Sequence, residues 1–512
     1  MLKNLNHTYL KRITIAFLLL TLTACSFLAQ RGDITSEKPG ITIPPPTISP
    51  LPLETNQETS PSTSVPQSEL EPTPAPFVFQ NTRYHFDINF NYGNQSAHVI
   101  ETITYTLPQS IMQSELLLAC DPLRYPDVFL LNTIRINGQN LESYETGKYW
   151  IKFSIPETLK NGDEFIIVMD FNLKIPIIPP PADDRKPGIF GYTSLQTNFV
   201  DWYPFIPPID ETGNWLLHDP WYYGEYLVYD PADFDVNIQI DNAPPNTMVA
   251  ASSLPIDTHE NQYNYSQKHA RNFTFSISPS FLSKQVVVNG VTITSYFFPF
   301  HQTAGESVLL ESAKALQIYS ELFGPYPRSN LTIVEADFLD GMEYDGLYFL
   351  SKGFYNLYDG TPKGYLTTIA VHETAHQWWY TLVGNDQALE PWLDEAFCTY
   401  SEYLFYENAY PDLKDWWWAY RVDYYKPGGF VNLPVYAYQG FVPYRDATYL
   451  RGAQFLHQLR QTIGDPAYFE FTKKYVSLFH DSRSTTLAFW DLLKQTTDAD
   501  IQDLQTEFFS SE

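Results

Sequence analysis

Three residues in this chain are spaced to hold one metal ion. His372 and His376 stand in Val371-His372-Glu373-Thr374-Ala375-His376-Gln377-Trp378, within a stretch that reads as a helix over 365–383, stopped by Gly384. Residues four apart on a helix lie one above the other, about 5–6 Å between Cβ atoms. Two imidazoles so placed can converge on an ion at about 2.0–2.1 Å. Glu373 lies about 100° around the axis, placed to address a water at the ion rather than the ion itself. With 11 His and 59 acidic residues in 512, chance would produce such a pattern about 0.03 times, so an accidental pair of histidines is the weaker reading. After eighteen intervening residues, Glu395 supplies a third ligand. Pro391 suits the start of a second helix, over 391–407, and Glu395 sits one turn inside it. Two His and one Glu leave the fourth tetrahedral position open, the pattern of catalytic rather than structural zinc, so one Zn²⁺ per chain is expected. A closed structural site needs four protein ligands, and no cysteine pair is at hand. Cys398, one turn beyond Glu395, reads as a small buried residue.

These helices must be held by something. Val308, Ser312, Leu316, Tyr319 and Phe323 recur at helical spacing and predict a helix over 304–323 that ends near Gly324. Leu331 to Val334 reads as a strand leading into Gly341-Met342-Glu343. Before residue 298 the period is two. Phe86, Ile88 and Phe90 alternate with Asp87 and Asn89, and Phe234, Val236, Ile238 and Ile240 alternate with Asp235, Asn237 and Gln239. Asn289-Gly290 between two valine-rich runs is a hairpin signal, because both turn positions favour positive φ. The fold class is therefore α+β and multidomain. An antiparallel β-rich region of sandwich or saddle type spans 78–298, and a mainly helical domain spans 299–512.

The first 77 residues belong to neither. Lys3, Lys11 and Arg12 precede an apolar run from Ile13 to Leu22, the makings of a secretory signal peptide over 1–24. It closes on Leu22-Thr23-Ala24-Cys25, which resembles the bacterial lipobox and implies a lipidated Cys25. Residues 31–77 hold 11 Pro and 13 Ser or Thr, so 25–77 reads as a lipidated cysteine followed by a Pro-rich tether. The expected location is the cell envelope, with the folded part outside the cytoplasm and joined to the membrane by lipid. A formal charge of −28 argues against a nucleic-acid partner. Cys120 and Cys398 fall in different domains and are expected to stay unbridged.

The metal motif, its eighteen-residue spacing and Glu395 within Trp392-Leu393-Asp394-Glu395 resemble the gluzincin aminopeptidases, the family of membrane alanyl aminopeptidase and leukotriene hydrolase. Phe323-Gly324-Pro325-Tyr326-Pro327 is similar to the family's Phe-Gly-x-Tyr-Pro. Gly341-Met342-Glu343-Tyr344 resembles its Gly-x-Met-Glu-Asn, with Tyr344 in place of the commoner Asn. Tyr449-Leu450-Arg451-Gly452-Ala453 resembles Tyr-x-Lys-Gly-Ala. The resemblance covers roughly 80–510 and implies a thermolysin-like catalytic domain at 299–512. It implies a zinc-dependent enzyme that removes N-terminal residues from peptides. Glu373 would be its general base and Tyr449 its oxyanion donor. Gly341, Met342 and Glu343 would bind substrate, Glu343 through the free α-ammonium. Asp394 and Glu402 read equally as partners of the histidines or as surface ion pairs. Only 63 residues follow Tyr449, so a short form without the family's large C-terminal helical domain is expected. An endopeptidase or epoxide hydrolase on the same site is the alternative, as is a binding protein without catalysis.

Overall fold

The computed structural model describes residues 82–108, 114–179, 188–338 and 340–511. The signal segment, Cys25 and the tether lie outside the described residues. Alternation does what it promises in the N-terminal part. Phe86, Ile88, Phe90, Phe234, Val236, Ile238 and Ile240 all turn inward, on strands Arg83–Asn91 and Ala232–Asp241. These are two central strands of an eight-stranded sheet. A four-stranded sheet shares their core: Phe199 packs 5.2 Å from Phe90 and stacks 4.4 Å from Phe275. The pairing is not purely antiparallel, however. Arg83–Asn91 runs parallel to Ala232–Asp241, with Phe86 opposite Val236. A period of two marks buried faces but carries no strand direction.

The second departure concerns the hairpin. Asn289 and Gly290 both take positive φ, 52° and 83°, as its two-residue turn requires. Yet strands Leu282–Val288 and Val291–Phe297 belong to a five-stranded sheet with Asn330–Ala336, Leu347–Ser351 and Gly341–Tyr344. Val291, Ile293 and Phe297 pack in the core of the C-terminal part. That sheet is mixed: Val291–Phe297, Asn330–Ala336 and Leu347–Ser351 run parallel, and Leu282–Val288 and Gly341–Tyr344 are its antiparallel edges.

Parallel neighbours need a long crossover, and the helix Gln302–Phe323 provides it. Its buried stripe is the one read from spacing: Val308, Ser312, Leu316, Tyr319 and Phe323. Tyr319 reaches the backbone carbonyls of Val371 and Ser401 at 3.2 and 2.9 Å, so it ties together the two helices that carry the metal motif. The first of these, Tyr365–Ala375, is shorter than its composition suggests. His376 caps it, and the chain then leaves the helical path. This lets Trp378 and Trp379 bury both indoles, which adjacent positions on one surface helix could not do together. The second helix runs from Trp392 to Ala409 with Pro391 as its N-cap. Cys120 and Cys398 are buried and unbridged. Among the described residues, no helix is long and apolar enough to cross a membrane.

Candidate metal centre

The two helices face each other through His372, His376 and Glu395, all nearly inaccessible to solvent. His372 Nε2 lies 3.2 Å from Glu395 Oε2, and His376 Nε2 lies 3.7 Å from the same oxygen. Two ligands at about 2.1 Å from a tetrahedral ion stand about 3.4 Å apart. Both separations from Glu395 are close to that spacing, and the three donor atoms all lie within 4.8 Å of one another.

Each imidazole is aimed by its other nitrogen. His372 Nδ1 donates to Glu402 Oε1 at 2.9 Å, and His376 Nδ1 donates to the carbonyl of Trp379 at 3.1 Å. Both leave Nε2 turned to the centre. Glu402 is itself fully engaged. Arg421 Nε and Nη2 donate to its two oxygens at 2.9 Å each, and Trp417 Nε1 adds a bond at 3.0 Å. The ion pair is thus buried and bidentate rather than superficial. Asp394 makes no such contact with a histidine. It accepts from Gln387 Nε2 at 2.8 Å and from the backbone N–H of Glu395.

Glu373 has one carboxylate oxygen, Oε2, with no hydrogen-bond partner in a buried position. An orphaned buried oxygen costs free energy unless something occupies the space before it. Gly341 matters to this arrangement, since a β-carbon there would collide with Glu373 Oε1. Met342 is buried in the core and borders the cavity beside the site. Glu343, on the edge strand, accepts from Gln387 Nε2 at 3.1 Å and brings a carboxylate oxygen within 4.8 Å of donor atoms of Glu373 and His376. Gln377 holds that strand in place: its side chain donates to Tyr344 O and accepts from Gly346 N, both at 3.0 Å. Tyr449 donates to Glu395 Oε1 at 2.6 Å, and its ring stacks on His372.

Electrostatics point the same way. Burial pushes the pKa values of Glu373, Asp394 and Glu395 up, and neighbouring carboxylates reinforce the first two. Burial lowers His376 to about 4. Burial opposes charge on His372 too, but hydrogen bonds to Glu395 and Glu402 raise it to about 10. Crowded carboxylates in a dry site demand a positive charge at their centre. A dication held by two imidazoles and Glu395 meets that demand, so the residues fit zinc.

Two contributors to the site escaped the sequence reading. Glu225 brings a carboxylate oxygen within 4.8 Å of those of Glu343 and Glu395. It comes from an irregular aromatic loop of the N-terminal part, with no periodic signal to mark it. Gly224 beside it takes φ +70°, and a β-carbon there would press on Val435 and Tyr444, so only glycine lets the loop seat. Gln387 is the other, an amide that bridges Glu343 and Asp394.

The C-terminal part thus sets a His-Glu-x-x-His helix, with a glutamate from the following helix, beside a five-stranded mixed sheet. Residues 309–508 match the Peptidase family M1 domain. The chain is similar to Aminopeptidase M1-D of Oryza sativa subsp. japonica, 24% identical over 54% of this chain and 34% of that protein. It is also similar to Aminopeptidase N of Lactobacillus delbrueckii subsp. lactis, 25% identical over 53% and 35%. The match thus spans about a third of the length of these curated relatives. Its fold is that of the M1 zinc metallopeptidase from Deinococcus radiodurans, with a TM-score of 0.61 at 19% identity, over 83% of this chain and 93% of that one. A variant of the same enzyme bound to Tyr-Ser-Ala gives a TM-score of 0.59 at 18% identity, over 83% and 93%.

Proposed function

We propose that the chain is a zinc aminopeptidase, which removes the N-terminal residue of a peptide by hydrolysis. The observation that carries this reading is Glu343. Its carboxylate closes one side of the metal centre, where it can hold the α-ammonium of a substrate and fix the scissile bond one residue from the chain end. Two similar proteins named as aminopeptidases, and a structural neighbour bound to Tyr-Ser-Ala, support the same class.

His372, His376 and Glu395 would hold the zinc. When bound there, zinc supplies Lewis acidity toward a carbonyl and makes water a stronger acid. Glu373 takes the proton of the attacking water at Oε2 as the water oxygen bonds to the carbonyl carbon. It then passes that proton to the leaving amine as the C–N bond breaks. Burial and the nearby negative Glu395 raise the pKa of Tyr449, so its hydroxyl stays protonated as a donor. From its present bond to Glu395 it can turn to the oxyanion that develops on the carbonyl oxygen. Glu402 and Arg421 keep His372 oriented throughout.

Hydrolysis of aminoacyl arylamides by residues 78–512, with and without chelator, tests the reading. Expected are one zinc per chain and activity lost to chelator and restored by zinc. Stoichiometric zinc retained in both His376→Ala and Glu395→Ala proteins would overturn the ligand assignment. Cleavage of N-acetylated substrates as well as free ones would make the protein an endopeptidase.

We also infer that the protein is an exported lipoprotein acylated at Cys25, on the strength of the Leu-Thr-Ala-Cys sequence at the end of an apolar run. Cys25→Ser should leave the chain unprocessed or free of the membrane. A mature wild-type protein that sits in membranes without lipid would refute this.

A further inference from the structure

Beside Glu343 lies a cavity of about 320 Å³, roughly ten times the volume that one water takes in the liquid. It opens between the N-terminal part and the edge strand, with Glu343, Gln387 and Glu225 in its wall. A peptide whose α-ammonium meets Glu343 has its first side chain next to this space. What the cavity accepts is set by its lining.

Four carboxylates border it, Asp121, Asp201, Glu225 and Glu343, against one basic side chain, Arg124. Arg124 is matched where it stands: its Nη1 lies 3.1 Å from Asp121 Oδ1, and its guanidinium sits 5.2 Å above the ring of Tyr226. The aromatic wall thus already holds one guanidinium at cation–π distance. An α-ammonium at Glu343 and Glu225 offsets part of the remaining negative charge. Asp201 also lines the space. Its carboxylate is fixed by two hydroxyls, that of Tyr229 donating to Oδ1 at 2.6 Å and that of Tyr344 to Oδ2 at 3.5 Å. A carboxylate can accept about four such bonds, so this anchoring leaves capacity for a ligand. Closing a neutral side chain over these carboxylates would strip them of water with nothing in exchange. A cationic side chain replaces that water with an ion pair, and its methylenes cover the rings.

We propose that this cavity receives the side chain of the substrate's first residue and selects arginine or lysine, with Asp201 as the specificity-determining carboxylate. The inference rests on the aminopeptidase reading, and the test separates the two. L-argininamide and L-citrullinamide differ in charge but hardly in shape. Calorimetric titration of both into the zinc-loaded protein should show argininamide bound at least about tenfold more tightly, as one charged hydrogen bond provides. Asp201→Asn should bring the two within about threefold. The variant should fold, because Asp201 sits at φ +50°, which asparagine tolerates, and its amide oxygen can still accept from Tyr229. Equal binding of the two amides, or a preference that survives Asp201→Asn, would overturn the proposal. So would faster cleavage of phenylalanyl than of arginyl arylamide, which would make the cavity an aromatic pocket. Tight, selective binding of argininamide without cleavage of any arylamide would uphold the cavity assignment and refute the aminopeptidase instead.

Discussion

Glutamine in place of Glu373, or phenylalanine in place of Tyr449, lowers kcat by about 10²-fold or more and leaves KM nearly unchanged. Both side chains act on charge that moves only as the reaction proceeds. Glu373 Oε2 is the buried oxygen without a partner, so it has nothing to give up before it takes a proton. Glutamine keeps the volume and the contact with Gly341 but has no basic oxygen to offer. Tyr449 spends its hydrogen on Glu395 at rest and can redirect it when the carbonyl oxygen turns negative. Phenylalanine keeps the stack on His372 and removes only that hydrogen bond. Steady-state kinetics on one aminoacyl arylamide decide the matter. A rise in KM with kcat preserved would assign these residues to substrate binding.

Glu343→Gln behaves in the opposite way. Its partner, the α-ammonium, is present before any bond breaks, so binding suffers in ground and transition state alike. KM should rise by about 10- to 100-fold, the worth of a hydrogen bond between charged groups. The glutamine carbonyl can still accept from Gln387, but its NH₂ group then faces the ammonium, donor against donor. The preference for free over N-acetylated substrates should vanish with the charge. A variant that keeps this preference would show that another group reads the substrate's N-terminus, and Glu225 is the first to examine.

How much of this was legible beforehand follows from how each part is encoded. His372, Glu373 and His376 could be read together because helix geometry turns a spacing of four into a distance. Glu395 joined them through a second helix whose start Pro391 marks. Buried faces of the strands were equally plain in the alternation about Phe86 and Val236. Strand direction was not, because alternation is the same either way, and so one central pair is parallel. The hairpin over 282–297 has the same period as the sheets before it, and only the crossover through Gln302–Phe323 assigns it to the following sheet. Glu225 and Gln387 come from irregular segments and reach the site through tertiary contacts alone. Glu402 was visible as a candidate, but Arg421 and Trp417 decide that it is buried and bound to His372 rather than exposed.

Arg421 and Tyr449 share one further property. The first lies in the π-helical turn Trp418–Val422 and the second in Arg445–Arg451. A π turn holds one residue more than the α turn it replaces. Deleting a single residue from either would let the helix close into regular form, with its hydrogen bonds improved. The chain on one side would then rotate about 100° relative to the other. Tyr444 could no longer pack beside Tyr223 while Tyr449, five residues on, meets Glu395. These segments should therefore tolerate substitution on their outer faces far better than any change in length, since here the count of residues is itself part of the active geometry.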